Sequence, residues 1–206
     1  KNLLELIRHK PDNVCERPVL FHFSTDEVYG DIVEGVHTEE DLLSPSNPYS
    51  ASKAAADMLI GAWSRTYRIN YILLRPTNNY GIRQYCEKLV PLTVRLLQRN
   101  KSVRLHDKGL PIRNWLHAAD TARAVIIIIN SGIQNEIFNV AGAFEQQNKE
   151  TVRKIIKEYY DTDKEWEKHI GWDKVREGQD IRYALNDDKL KALGWKPQKE
   201  FDIEIK

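Results

Sequence analysis

The side chains best suited to chemistry are grouped between positions 24 and 53. Ser24–Thr25–Asp26–Glu27–Val28–Tyr29–Gly30 sets two carboxyl groups side by side after a strand-forming run, Val19–Leu20–Phe21–His22–Phe23. In an open α/β sheet the carboxyl end of a strand is where ligands bind. Like charges resist ionising together, so a close pair favours one protonated and one ionised acid, approaching a substrate from different sides. A solvated turn with Asp26 as a helix cap would explain the pair equally well. The second group is Tyr49–Ser50–Ala51–Ser52–Lys53. A tyrosine and a lysine four apart stand one above the other on a helix face. The ammonium is expected to draw the Tyr49 pKa down from about 10, which suits a general base for a hydroxyl proton. That spacing is common on exposed helices. Its place one strand-and-loop step after the acids is much less common.

The remaining residues must supply the scaffold. The chain has 206 residues, 41% hydrophobic and 30% charged, enough for one large domain, or a domain and a half, with a real core. Its 31 Lys and Arg against 30 Asp and Glu argue against nucleic acid or an anionic membrane as partner. The longest apolar run, Ala124–Ile129, is far short of the ~18 residues of a membrane span. Cys15 and Cys86 form neither a disulfide framework nor a metal-binding spacing, which fits a reducing cytoplasm and predicts no metal. Leu3, Leu4, Leu6 and Ile7 predict a helix ending at Pro11. Further helices are expected over Tyr49–Tyr67, Leu89–Arg99, Ala118–Ile129 and Glu150–Tyr160, and strands over 19–23, 71–75, 103–105 and 137–140. Alternating strands and helices indicate a parallel α/β sheet, with a smaller mixed lobe beyond about Val140. The run Val125–Ile129 and Trp115 are expected in the core.

Ser-Thr-Asp-Glu-Val-Tyr-Gly, then Asn47–Pro48–Tyr49–Ser50–Ala51–Ser52–Lys53, then Arg75–Pro76–Thr77–Asn78–Asn79–Tyr80–Gly81 resemble the extended short-chain dehydrogenase/reductase superfamily. Within it the chain most resembles the nucleoside-diphosphate-glucose 4,6-dehydratases, above all those acting on dTDP-glucose. The similarity continues through Glu87–Leu92, Ile112–Leu116 and Leu193–Pro197. These enzymes open with a glycine-rich turn that seats the cofactor pyrophosphate. No G-x-x-G-x-x-G pattern occurs in the chain, and neither a methionine nor a signal peptide opens it. The resemblance therefore implies about a hundred further residues upstream. The expected fold is a truncated Rossmann-type, doubly wound parallel sheet with a mixed α/β substrate lobe: residues 1–140, with insertions around 78–115, for the cofactor half, and 141–206 for the sugar nucleotide.

The resemblance also implies the chemistry. Tyr49, assisted by Lys53, would take the C4 hydroxyl proton while a hydride moves to NAD; Glu27 would remove the acidified C5 proton; Asp26 would protonate the departing C6 hydroxyl; Thr25 would orient the C4 oxygen. Ser24, Tyr49, Lys53 and Asn79 are the expected cofactor contacts. Thr25, Asn78, Lys88, the backbone at Leu89, His106, Arg113, Asn148, Arg176 and Tyr183 are the expected substrate contacts. An epimerase also needs the tyrosine, lysine and cofactor but no acid–base pair for elimination, so dehydration is the favoured reaction. The alternatives are a related epimerase or decarboxylase, or an inactive nucleotide-binding or dimerisation fragment. Helices at 1–9 and 49–67 resemble a pair that forms a homodimer interface.

Three positions depart from the family pattern. His106 stands where a base-stacking tyrosine is usual, Cys86 where a proline is usual, and Gln179 where a histidine is usual. All three touch nucleotide recognition and leave the catalytic group unchanged. Cys86 has no triad-like histidine partner and is read as incidental.

Overall fold

The computed structural model describes residues 2–10, 18–162, 164–175 and 177–206. In chain order, α1 (Asn2–Arg8) and β1 (Leu20–Phe23) precede a 3-10 turn over Asp26–Tyr29. Then come α2 (Pro48–Tyr67), β2 (Tyr71–Pro76), β3 (Asn78–Tyr80), α3 (Leu89–Leu97) and β4 (Val103–Leu105). The chain continues through β5 (Ile112–His117), α4 (Ala118–Ser131), β6 (Glu136–Val140), β7 (Phe144–Gln147) and α5 (Asn148–Tyr160). It closes with β8 (Ile170–Trp172) and two short helices, α6 (Asp188–Lys191) and α7 (Phe201–Glu204).

The sheet that carries the acid turn is parallel, in the order β1–β2–β6. Its central strand is apolar on both faces, as a sheet covered on both sides requires. Ile72 and Leu74 point to one side, where Leu116, Ala124, Ile128, Phe138, Val140, Leu190 and Trp195 complete a core under α4. Leu73 points to the other and packs with Leu4, Ile7, Ile60 and Ile69 beneath α1 and α2. Helices on opposite faces of a parallel sheet are the doubly wound arrangement.

Two smaller sheets flank it: β3–β5–β7, with β5 and β7 antiparallel, and the parallel pair β4–β8. Their strands β3, β5, β7 and β8 were not among the sequence expectations. Polar sequences such as Asn78–Asn79–Tyr80 and Phe144–Gln147 lack the apolar run that marks a strand. Residue 140 ends β6, and the chain beyond it supplies β7 and β8 yet returns Leu190 and Trp195 to the first core. The expectation for 125–129 needs correction. Ile128 is buried, but Ile126 and Ile129 are 56% and 61% exposed, because five successive helical residues sweep a full circle and cannot share one face.

Candidate active site

The acid turn begins where β1 leaves the sheet. Ser24 keeps a last ladder bond, its N–H donating to Leu74 O at 2.7 Å. Thr25 then turns extended and caps the 3-10 turn, its hydroxyl accepting from Glu27 N at 3.4 Å. At the far end Gly30 has φ of 87°, and a side chain there would collide with the Ser44 carbonyl. The turn separates the two acids. Asp26 is buried; its Oδ1 accepts from the Thr25 hydroxyl at 3.1 Å and its Oδ2 has no partner. Burial, reinforced by the Glu27 charge, raises its pKa to about 7, against the opposing pull of the Thr25 hydroxyl, Arg113 and the Glu27 amide. Glu27 is half-buried and its Oε2 accepts from Asn47 Nδ2 at 3.4 Å.

Helix α2 delivers the phenol. Asn47 and Ser50 form a reciprocal capping box, Asn47 Oδ1 accepting from Ser50 N at 2.9 Å and Ser50 Oγ from Asn47 N at 3.2 Å, with Pro48 in the first turn. Tyr49 therefore sits in the first turn, beside the acids: Glu27, Asp26 and the Thr25 hydroxyl all act on its phenol. The expected depression of Tyr49 does not occur. Burial and then Glu27 push its pKa up, and the Lys53 ammonium is engaged instead by the Phe23 carbonyl, to which its Nζ donates.

Arg113 and Tyr183 reach the same group from the other side. Arg113 acts on Asp26, lies over the Tyr183 ring at 4.7 Å, and donates to the carbonyls of Ile112, Asp180 and Ile181. Tyr183 is buried, donates to Asp180 Oδ2, and is raised in pKa by burial, by that bond and by Glu27. Asp180 Oδ2 also accepts from Ser46 Oγ, which ties the 180–183 segment to the cap of α2. Ser46 and Asp180 carried no expected role, and Asn47 was expected only as the residue before Pro48 at the helix start, not as a partner of Glu27.

The other expected residues lie elsewhere. Ser24 Oγ and the Asn79 amide already have internal partners, Asp57 for the first and Thr77 O and Thr121 for the second. Asn78 Oδ1 and Asn148 Oδ1 are buried without a partner, the mark of an atom awaiting a ligand or a water. Lys88 caps α3 and pairs with Glu87 at 3.5 Å, Leu89 opens that helix, His106 follows β4 with its ring facing Lys174 O at 3.0 Å, and Asn148 opens α5. These four stand at the ends of α3, β4 and α5, the elements that share the core of Leu97, Val103, Leu105, Val152, Ile155 and Ile156. Arg176 lies outside the described residues. Among the described residues no cluster of His, Cys, Asp and Glu could hold a metal ion.

The family model for GDP-mannose 4,6 dehydratase matches residues 1–206. The chain belongs to that family. It is 37% identical over 199 residues to dTDP-glucose 4,6-dehydratase 1 of Escherichia coli K12, covering 90% of this chain and 55% of the relative. It is 40% identical over 195 residues to dTDP-glucose 4,6-dehydratase of Neisseria gonorrhoeae, covering 90% and 56%. The crystal structure of Bacillus anthracis dTDP-glucose 4,6-dehydratase in complex with NAD superposes with a TM-score of 0.88 at 38% identity, over 98% of this chain and 62% of that one. The chain thus spans little more than half the length of these two curated relatives. The matched part includes β1, the acid turn and the first turn of α2.

Proposed function

We propose that the whole protein is an NAD-dependent sugar-nucleotide 4,6-dehydratase that converts dTDP-glucose into its 4-keto-6-deoxy product. The observation that carries this reading is the unequal acid pair, a buried Asp26 whose pKa is raised to about 7 next to a half-buried Glu27, with the Tyr49 phenol against both. Loss of water from a sugar needs one group to give a proton and another to take one. Tyr49 takes the proton of the C4 hydroxyl. Glu27 takes the C5 proton that the new ketone acidifies, and Asp26 gives its proton to the C6 hydroxyl as it leaves. Thr25, placed between phenol and acids, orients the C4 oxygen.

The residues present fit the cofactor through Tyr49 and Lys53, which stand in the N-terminal part of α2, with Lys53 reaching the end of β1. The chemistry the bound cofactor supplies is reversible storage of one hydride, taken from C4 and returned at C6. Arg113, Lys88 and Asn148 are assigned to the nucleotide diphosphate, with Asn78 on the sugar. We assign the protein to the cytoplasm, in keeping with an exposed, free Cys86 and with no described helix long and apolar enough to cross a membrane. Exposed Leu3 and Leu6 on α1 with Met58 and Leu59 on α2 form the face we assign to a homodimer. Mass analysis after incubation with dTDP-glucose and NAD tests the reaction. Loss of one water supports dehydration, whereas a product of unchanged mass inverted at C4 identifies an epimerase.

A further inference from the structure

Behind the acid turn lies a buried polar chain centred on Asp57 and Arg75. Asp57, on α2, and Arg75, on β2, form an ion pair with Arg75 Nε 3.0 Å from Asp57 Oδ2, both side chains almost wholly buried. The same carboxylate oxygen accepts from Ser24 Oγ at 2.9 Å, and Arg75 Nη1 donates to the Tyr29 hydroxyl at 2.7 Å. Tyr29 in turn donates to Asn139 Oδ1 at 2.9 Å on β6. Ser24 and Tyr29 are the residues that open and close the turn bearing Thr25, Asp26 and Glu27. Asp57 lies four residues beyond Lys53 and eight beyond Tyr49, on one face of α2. A buried ion pair adds little net stability compared with apolar residues of similar size, so stability alone is a poor reason for one here. Its two partners at the ends of one short turn supply a better reason.

We propose that the Asp57–Arg75 pair is a positioning element that clamps both ends of the acid turn against the helix carrying Tyr49 and Lys53, and so sets the distance between the elimination acids and the oxidation base. The role in catalysis rests on the dehydratase reading; the role in holding the turn does not. The clamp keeps Asp26 out of water while Glu27, Arg113 and the Thr25 hydroxyl face it from the surrounding elements. Loosening either end lets water reach Asp26.

The test uses the whole protein and two variants that each remove one hydroxyl, Ser24→Ala and Tyr29→Phe, with Ser24→Thr as the conservative control. The Asp26 carboxyl is titrated by carbon-13 NMR, and the rates of C4 oxidation and C5 deuterium exchange are measured separately with dTDP-glucose. The proposal expects each loosening variant to lower the proton affinity of Asp26 about tenfold. It expects C5 exchange to slow by about tenfold or more in both, while in Tyr29→Phe C4 oxidation and KM change less than about threefold, since small misplacements cost the step they touch. Ser24→Thr restores both. An Asp26 midpoint unchanged in both loosening variants, with only thermal stability lowered, overturns the proposal. A lowered midpoint in a protein that performs no dehydration upholds the clamp and overturns the dehydratase reading instead.

Discussion

Replacing Asp26 by asparagine should make the variant gain stability on the parent as the pH rises. The carboxyl is buried, the Glu27 charge stands beside it and its Oδ2 has no partner, so the neutral form is favoured and the pKa stands at about 7. In the unfolded chain an aspartate titrates near 3.9. The folded protein therefore holds this proton more tightly than the unfolded one. Between those two values the folded state carries the extra proton, and stability falls as pH rises, the full cost being present above about 7. At 1.36 kcal/mol per pH unit the complete cost is about 4 kcal/mol, of which about 3 kcal/mol accumulates between pH 5 and pH 8. The amide of Asp26→Asn does not titrate, and any penalty for fitting it in place is independent of pH. Urea unfolding of parent and variant across that range should show the variant gaining about 3 kcal/mol on the parent from pH 5 to pH 8. A difference that stays constant, or shrinks as pH rises, would refute the protonated assignment for Asp26. A group that costs stability in this way is characteristic of a site kept for chemistry.

Other outcomes follow from the same geometry. Tyr49→Phe should slow C4 oxidation by about 10²-fold or more, measured in a single turnover with the whole protein, with little change in melting temperature because the ring is half exposed. Asn47→Ala removes the cap of α2 and the donor to Glu27, and should cost about 1 kcal/mol by urea unfolding while slowing elimination more than oxidation. Trp195→Ala should cost about 3–5 kcal/mol by the same measure, since its ring fills the core under α4 and its Nε1–H donates to Asp120 O at 3.0 Å.

The parts of this fold that could be read in the sequence are those whose residues report a single local environment. Tyr71–Leu74 is apolar throughout because β2 is covered on both faces, and Asn47–Pro48 marks the start of α2 to within a residue. Asn78–Asn79–Tyr80 could not be read as a strand, since what holds it is pairing with Trp115, Leu116 and His117 far along the chain. The acids show the same limit. Their adjacency is visible, but the inequality between them comes from the burial of Asp26 inside the fold, reinforced by the Glu27 charge and set against the opposing pull of Arg113 from far along the chain. The expected pull of Lys53 on Tyr49 failed for a related reason: spacing on a helix places two side chains on one face, yet a carbonyl at the end of β1 captures the ammonium.

The central claim is that Tyr49, Asp26 and Glu27 act on one hexose ring, with Glu27 as the base. The most direct measurement is the fate of the C5 hydrogen when the whole protein is incubated with dTDP-glucose and NAD in deuterated water. The parent should place deuterium at C5 of the 4-keto-6-deoxy product, and Glu27→Gln should still oxidise C4 while leaving C5 unexchanged. Exchange at C5 by Glu27→Gln at the parent rate would contradict it.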